Sequence, residues 1–256
     1  MITAGIDVGT LTTKVVLLGN GDISASSLIP TGESSSEAAG KAMEECLQVA
    51  GLNIGDVAAI VFTGIGREEI PYTAEIATEV ICDARGVRFL FPQAGTVIDI
   101  GAESSRVVKC DSNGKVVDFV LNDKCAAGTG VFLDAMAKAL EVKPEDMGKL
   151  SLQSTEEINI TSMCVVFAES EVVSQIHRRV NKVDILAGIH KSIAIRISGM
   201  ANRVGISKDV ITIGGVARNI GVIRALESAL GTTVSVPQNP QVVGALGAAL
   251  IARERR

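Results

Sequence analysis

The sequence predicts an α/β protein of two lobes packed around a cleft, each lobe led by the same hairpin unit. Three observations carry that expectation. Apolar runs of strand length alternate along the chain with segments of helical spacing. Two β-hairpins opened by Asp-x-Gly recur at nearly one offset, Asp7 to Asp99 being 92 positions and Gly21 to Gly114 being 93. No low-complexity linker divides the halves.

In order, residues 3–6 read as a strand running into Asp7-Val8-Gly9-Thr10, and residues 14–18 as its hairpin partner. Asn20-Gly21 is the turn into further strand-like sequence, Asn-Gly being the pair that a tight hairpin selects. Residues 35–50 have helical spacing, 57–63 read as a buried strand and 74–84 as another helix. The layout then repeats. Residues 96–98 run into Asp99-Ile100-Gly101-Ala102, 106–110 follow as a strand, Asn113-Gly114 turns the chain and 116–121 form the next strand. Helices are expected over 130–140, 165–176, 185–204, 222–230 and 244–253, with strands over 210–213 and 234–236. The expected lobes are 1–92 with 242–256, and 93–241.

Composition narrows the function classes. The 256 residues are 47% hydrophobic, enough for a sizeable core, and mean hydropathy is +0.36. The apolar runs are nevertheless short, far below the ~20 residues that span a bilayer. The opening Met1-Ile2-Thr3-Ala4-Gly5-Ile6-Asp7 lacks the basic and apolar regions of a secretory signal, so the cytoplasm is the expected location. Lys plus Arg number 24 against 29 Asp plus Glu, a net charge of −5, and aromatics are 3%. Neither a nucleic-acid partner nor a membrane partner fits that balance.

The glycines cluster after apolar runs, the arrangement that brings backbone N–H groups close to phosphate. In Asp7-Val8-Gly9-Thr10-Leu11-Thr12-Thr13-Lys14, Gly9 allows a tight turn, and Thr10, Thr12 and Thr13 offer hydroxyls to phosphate oxygens alongside the Leu11 backbone. Lys14 adds a point charge, and Asp7 suits a metal ion or its water. Asp99-Ile100-Gly101-Ala102-Glu103-Ser104-Ser105 is placed to grip the same phosphates from the second lobe. A third element, Ile211-Thr212-Ile213-Gly214-Gly215-Val216-Ala217-Arg218-Asn219, runs from a strand into paired glycines, against which a ribose or flat ring can lie. Neither a P-loop nor a dinucleotide fingerprint is present. In order, these segments resemble the phosphate-1, phosphate-2 and adenosine motifs of the sugar kinase/Hsp70/actin ATPase superfamily. The resemblance implies a duplicated actin-like ATPase fold, ribonuclease H-like in each lobe, binding ATP or ADP with Mg²⁺.

Five cysteines, with no CxxC pair, do not form a disulfide framework. Cys46, Cys82 and Cys110 fall on expected helices or a strand and read as core or semi-exposed thiols. Cys125, in Lys124-Cys125-Ala126-Ala127-Gly128-Thr129-Gly130, and Cys164, in Ser162-Met163-Cys164, each precede an amphipathic helix. The positive end of a helix dipole favours thiolate, the form that iron and zinc bind. From the residues alone, buried structural thiols and half of a four-cysteine set shared across a two-fold axis both stand open. His177 and His190, downstream on expected helices, read as surface or helix-packing residues.

Four segments sharpen the resemblance: residues 122–130, Cys164-x-Val166-Phe167-Ala168-Glu169-Ser170-Glu171-Val172, Ala187-Gly188-Ile189-His190 and Gly214-Gly215-Val216-Ala217. Nearly end to end, the chain is similar to the ATP-dependent activators of 2-hydroxyacyl-CoA dehydratases. That family includes benzoyl-CoA reductase ATPase subunits and the reductases of double-cubane-cluster proteins. The resemblance implies a homodimer sharing one [4Fe-4S] cluster, with Cys125 and Cys164 as ligands. It implies that ATP hydrolysis drives a low-potential electron from a ferredoxin or flavodoxin into a partner iron–sulfur dehydratase, reductase or double-cubane protein. Asp7 and Asp99 would organise Mg²⁺, with Gly101 at the phosphates. Gly214, Gly215, Val216, Asn219 and Gln241 would seat the adenosine.

One departure stands out. Where those activators usually carry Asp-Ile-Gly-Gly-Gln-Asp, this chain has Asp99-Ile100-Gly101-Ala102-Glu103-Ser104, which puts an acid, Glu103, beside the expected attacking water. That change puts the partner in doubt more than the ATPase. Two other readings stay open at this stage. One is a small-molecule kinase of the same fold with Asp123 as its catalytic acid, and the other a nucleotide-gated interaction module without catalysis.

Overall fold

The computed structural model describes residues 1–66, 72, 74–122, 125, 128–161 and 164–255. The chain divides into two compact units, one of Met1–Ala94, Cys110–Val117 and Gln238–Arg256, the other of Gly95–Lys109 and Asp118–Pro237. Among the described residues no helix is long and apolar enough to cross a membrane.

The first unit is a sheet covered on both faces. Its strands are β1 (Ile2–Val8), β2 (Thr12–Gly19), β3 (Asp22–Pro30), β4 (Val57–Gly64) and β5 (Glu75–Ile76), in spatial order β3-β2-β1-β4-β5. β1 runs antiparallel to β2 and parallel to β4. Asn20 and Gly21 both have positive φ, as the expected hairpin turn requires. Side chains alternate along β1. Ala4, Ile6 and Val8 join Ala39, Ala42 and Met43 of α1 (Ser35–Ala50) in one apolar cluster. Ser34 caps that helix through Glu37 N–H, and Gly51 ends it in the left-handed conformation.

Thr3, Gly5 and Asp7 turn to the other face, where α8 (Val243–Glu254) lies. The Thr3 hydroxyl donates to the Ala249 carbonyl at 2.9 Å. A Cβ on Gly5 would strike the backbone of Ala245 and Ala249. At the crossing of α8 with α2 (Glu79–Leu90), a Cβ on Gly247 would strike the Cys82 carbonyl, and one on Gly86 the Val243 carbonyl. The glycines and alanines of residues 244–249 thus bring a helix onto a strand and onto a second helix at backbone distance.

The second unit repeats the plan. β6 (Thr96–Ile100), β7 (Ser105–Cys110), β8 (Val116–Asn122), β9 (Val210–Ile213) and β10 (Val234–Ser235) lie in the order β10-β9-β6-β7-β8. β6 runs antiparallel to β7 and parallel to β9, matching β1 with β2 and β4. Between hairpin and parallel strand the first repeat has one helix, α1. Among the described residues the second has four: α3 (Gly130–Leu140), α4 (Pro144–Ser151), α5 (Val165–His177) and α6 (Lys182–Val204). They pack with Ile98, Ile100 and Val107 into the largest apolar cluster, around Phe132, Met136, Ile185, Ile189 and Ile193. α7 (Ile220–Leu230) follows β9.

Two elements depart from the sequence expectation. Residues 75–76 pair with Val61 and Phe62 as a short parallel strand, so the second helix starts at Glu79 and runs to Leu90. Sheet pairing overrides a helix-forming composition there. α4 was not anticipated, although Pro144 in its first turn, followed by Glu145 and Asp146, is a helix-start signature.

Gly5→Ala is expected to lower the urea midpoint, by about 1–3 kcal/mol of overpacking. Gly40→Ala, in α1 and facing open space, should raise it by about 0.5–1 kcal/mol. Equal responses of the two variants would show that the close approach at Gly5 is absent in solution.

Candidate functional site

The first acid–glycine turn is built by strand register. Asp7 faces Lys14 directly across the β1–β2 pair, and Lys14 Nζ donates to Asp7 Oδ2 at 3.0 Å. The Gly9 N–H donates to the Thr12 carbonyl at 3.1 Å and closes the turn. Behind it, the Thr31 hydroxyl donates to the Gly9 carbonyl at 2.8 Å, so Thr13, 3.0 Å away, donates to Thr31. Thr13 is fully buried. Its hydroxyl braces the loop, which corrects the expectation that it faces a phosphate. Thr10 and Thr12 are half-buried and Leu11 is exposed, and these three form the outward rim.

The left-handed glycine is not Gly9 but Gly64, at the end of the parallel neighbour β4, with φ of 90°. A Cβ there would strike the Val8 carbonyl and come within 2.8 Å of Asp7 Oδ1. Gly9 is small for another reason: its Cβ would lie 3.0 Å from Lys14 Nζ. On the far side, Gly244 in the first turn of α8 leaves room for Asp7 Oδ2, 3.4 Å from where its Cβ would be. The carboxylate therefore meets the positive end of a helix dipole. Gln241 sits in the short turn Pro240–Val242 just ahead of that helix, within the first unit.

The second turn has the same parts. Asp99 faces Arg106 across β6–β7, with Arg106 Nη2 2.9 Å from Asp99 Oδ2. The Gly101 N–H donates to the Ser104 carbonyl at 2.9 Å. Gly214, with φ of 87°, ends the parallel neighbour β9, and its Cβ would strike Asp99 Oδ1 and the Ile100 carbonyl. The Gly214-Gly215-Val216 segment is thereby laid against Asp99, and Glu103 stands exposed at the loop tip. Arg106 and Gly64 were missed in the sequence. The signal was present: Arg106 follows Asp99 by seven residues, as Lys14 follows Asp7.

Asn219 caps α7, its Oδ1 accepting from Gly221 and Val222 N–H at 3.0 and 3.2 Å. Its Nδ2 lies 3.2 Å from His190 Nε2, and His190 Nδ1 lies 2.9 Å from the Ser151 hydroxyl. Ser151 donates to the Gly148 carbonyl at 2.8 Å, which assigns the proton to His190 Nδ1. His190 is a core residue, and burial pulls its pKa down to about 4.

The cysteines divide into two kinds. Cys46, Cys82 and Cys110 are buried, and burial pushes their pKa values up to about 11, 12 and 11. Cys125 and Cys164 are exposed. Cys164 is the N-cap of α5. Cys125, by contrast, lies four residues ahead of Thr129, the N-cap of α3, so only one of the two thiols heads a helix directly. Beside Cys164, Val166 and Phe167 are 66% and 67% exposed. Among the described residues no three or more His, Cys, Asp or Glu converge as a metal site. Asp123 and Lys124, with Ala126, Ala127, Ser162 and Met163, lie outside the described residues.

Unfolded His190 protonates near pH 6.5 and the folded residue near 4, so the unfolded chain binds the extra proton between those values. Stability is complete above about pH 6.5 and falls by on the order of 3 kcal/mol towards pH 4. Urea unfolding against pH should show that slope in the wild type and a slope shallower by up to one proton in His190→Gln.

The BadF/BadG/BcrA/BcrD ATPase family matches residues 4–252. The (R)-2-hydroxyglutaryl-CoA dehydratase activating ATPase of Acidaminococcus fermentans is 46% identical over 99% of this chain and 97% of its own. The solved activator of the 2-hydroxyisocaproyl-CoA dehydratase from Clostridium difficile, with bound ADPNP, superimposes with a TM-score of 0.94 at 43% identity, covering 100% of this chain and 95% of that one. A ROK family glucokinase from Streptomyces griseus, 15% identical, shares the fold with a TM-score of 0.59, over 99% of this chain and 100% of its own. With acid, cation and left-handed glycine at matching places in both actin-like units, the chain belongs to the BadF/BadG/BcrA/BcrD ATPase family.

Proposed function

We propose that the protein is the ATP-hydrolysing activator of a 2-hydroxyacyl-CoA dehydratase or a related iron–sulfur enzyme, passing it a low-potential electron. The observation that carries the reading is the duplicated acid–cation–glycine turn, in a chain whose second repeat inserts two exposed cysteines. The names of the relatives supply the partner class.

Asp7 and Asp99 would hold Mg²⁺, which would supply charge neutralisation at the phosphates. Thr10, Leu11 and Thr12 offer hydroxyls and backbone to the phosphates. Lys14 holds Asp7 beside the mouth of the Gly9 turn, and its flexible stem lets the ammonium exchange that carboxylate for a phosphate oxygen. Arg106, nearly buried, stays on Asp99 and fixes its orientation. Glu103 orients the attacking water. Gly214 and Gly215 would give the adenosine end a surface without side chains, with Val216 and Asn219 beside it, and Gln241 is the remaining residue assigned to the adenosine.

Two exposed thiols per chain, with the other three cysteines buried, suit a four-thiolate site made by two copies. Cys125 and Cys164 of each copy would hold one [4Fe-4S] cluster, which supplies a one-electron carrier when bound. The exposed Val166 and Phe167 beside Cys164 favour a second copy at this place. A ferredoxin or flavodoxin is the donor, and the cytoplasm the location.

Asp7→Asn and Asp99→Asn are expected to slow Mg²⁺-dependent ATP hydrolysis at least about a hundredfold with unchanged circular dichroism. Unchanged hydrolysis in both would remove the metal assignment. Glu103→Gln should change kcat while ATP affinity stays or tightens. Tenfold weaker binding, about 1.4 kcal/mol, would place Glu103 elsewhere.

Anaerobically purified protein should carry about four iron atoms per dimer. Cys125→Ser and Cys164→Ser should each lose them, and Cys46→Ser should not. Four irons per monomer, or a cluster that survives Cys125→Ser, would rule out the shared site.

A further inference from the structure

Cys125 lies between two anchors that lead back to the second acid–glycine loop. Upstream, Asn122 ends β8. Its Nδ2 donates to the Cys125 carbonyl at 3.0 Å and to the Ser105 hydroxyl at 3.3 Å. Ser105 begins β7, next to Ser104, whose carbonyl closes the Gly101 turn. Arg196 of α6 donates from Nη2 to Asn122 Oδ1 at 3.0 Å, which fixes the amide in the orientation that aims its N–H groups at Ser105 and Cys125. Downstream, Gly128 has φ of 80°, and its Cβ would lie 3.1 Å from Arg196 Cδ. The next anchor is direct: Gly130 and Val131 N–H, at the start of α3, donate to the Gly101 and Ala102 carbonyls, each at 2.9 Å.

The first N–H groups of a helix have no partner within it. Here two of them are satisfied by the loop expected to meet phosphate. Cys125 is therefore fastened by its own carbonyl and by the helix that follows, and both fastenings end within Gly101–Ser105. We infer that Asn122 is a positioning residue, with Arg196 behind it, that makes Cys125 follow the Asp99 loop when the bound nucleotide changes. The inference rests on the reading of Cys125 as a cluster ligand. It adds which side chain ties that ligand to the nucleotide loop. Loss of the Asn122 amide leaves the Gly130 and Val131 bonds in place, so α3 stays docked while Cys125 loses its tie to Asn122.

Hydrogen exchange read by mass spectrometry on the full chain, with Mg·ADP or Mg·ADPNP, tests this. In the wild type, peptide 122–131 should exchange at rates that differ several-fold between the two nucleotides, and peptide 161–168, around Cys164, should respond as well. In Asn122→Ala, peptide 122–131 should exchange faster and lose its nucleotide dependence, peptide 161–168 should keep its own, and nucleotide affinity should stay within about twofold. Arg196→Met should shift peptide 122–131 in the same direction by less, and serves if Asn122→Ala does not fold. An unchanged response of peptide 122–131 in the variants would overturn the inference. Loss of response in both peptides, or no nucleotide dependence in the wild type, would overturn it equally. Iron measured on the same samples separates the two readings. An iron-free wild type sinks the ligand assignment, whereas iron-loaded Asn122→Ala with wild-type exchange sinks the positioning role alone.

Discussion

The structure depends on an arrangement at the end of each unit's central strand: a carboxylate held by a cation on the antiparallel side and met by bare backbone on the parallel side. Asp7 has Lys14 opposite it and Gly64 beside it, and Asp99 has Arg106 and Gly214. The cation offsets the cost of placing the carboxylate at a mostly buried strand end. The glycine removes the side chain that would displace it, and its left-handed φ turns the chain away. Everything assigned to nucleotide chemistry hangs from those strand ends, because the turns, the helix starts and the Gly214 segment are fixed by the same strands.

Much of this was legible because the duplication is written in spacing. The Asp-x-Gly pair, the two Asn-Gly or equivalent hairpin turns and the helix over residues 35–50 follow from local chemistry, and the structure has them. What was hidden depended on pairing between distant strands. That Gly64 belongs beside Asp7 emerges only once β4 is known to lie parallel to β1. The role of Thr13 was misread because alternation along β2 could be seen while its partner Thr31, eighteen residues on, could not. For His190 the sequence left surface and helix-packing roles open, because its link to Asn219 needs α6 and α7 side by side. Residues 74–78 look helical in isolation, and the short strand there exists only because β4 offers an edge.

The two repeats differ most in the connection between hairpin and parallel strand. Among the described residues the first has a single α-helix between hairpin and parallel strand and the second has four, with the exposed Cys125 and Cys164 in the segments that lead into α3 and α5. The sheet and its acid–glycine turn are the same in both. The two exposed cysteines thus lie along the crossover connection, where extra length leaves strand pairing undisturbed.

The order of elements along the chain has a consequence for synthesis on the ribosome. Residues 95–109 and 118–237, the whole of the second unit, emerge before α8 does. The first unit, though it starts the chain, lacks until then the helix that covers Val16, Leu18 and Val61 and completes the surroundings of Asp7. Until α8 packs, that face has α2 against it, through Cys82 beside Val61. The first unit is thus completed by a helix that lies beyond the whole of residues 118–237, and the surroundings of Asp7 form only through that long-range contact.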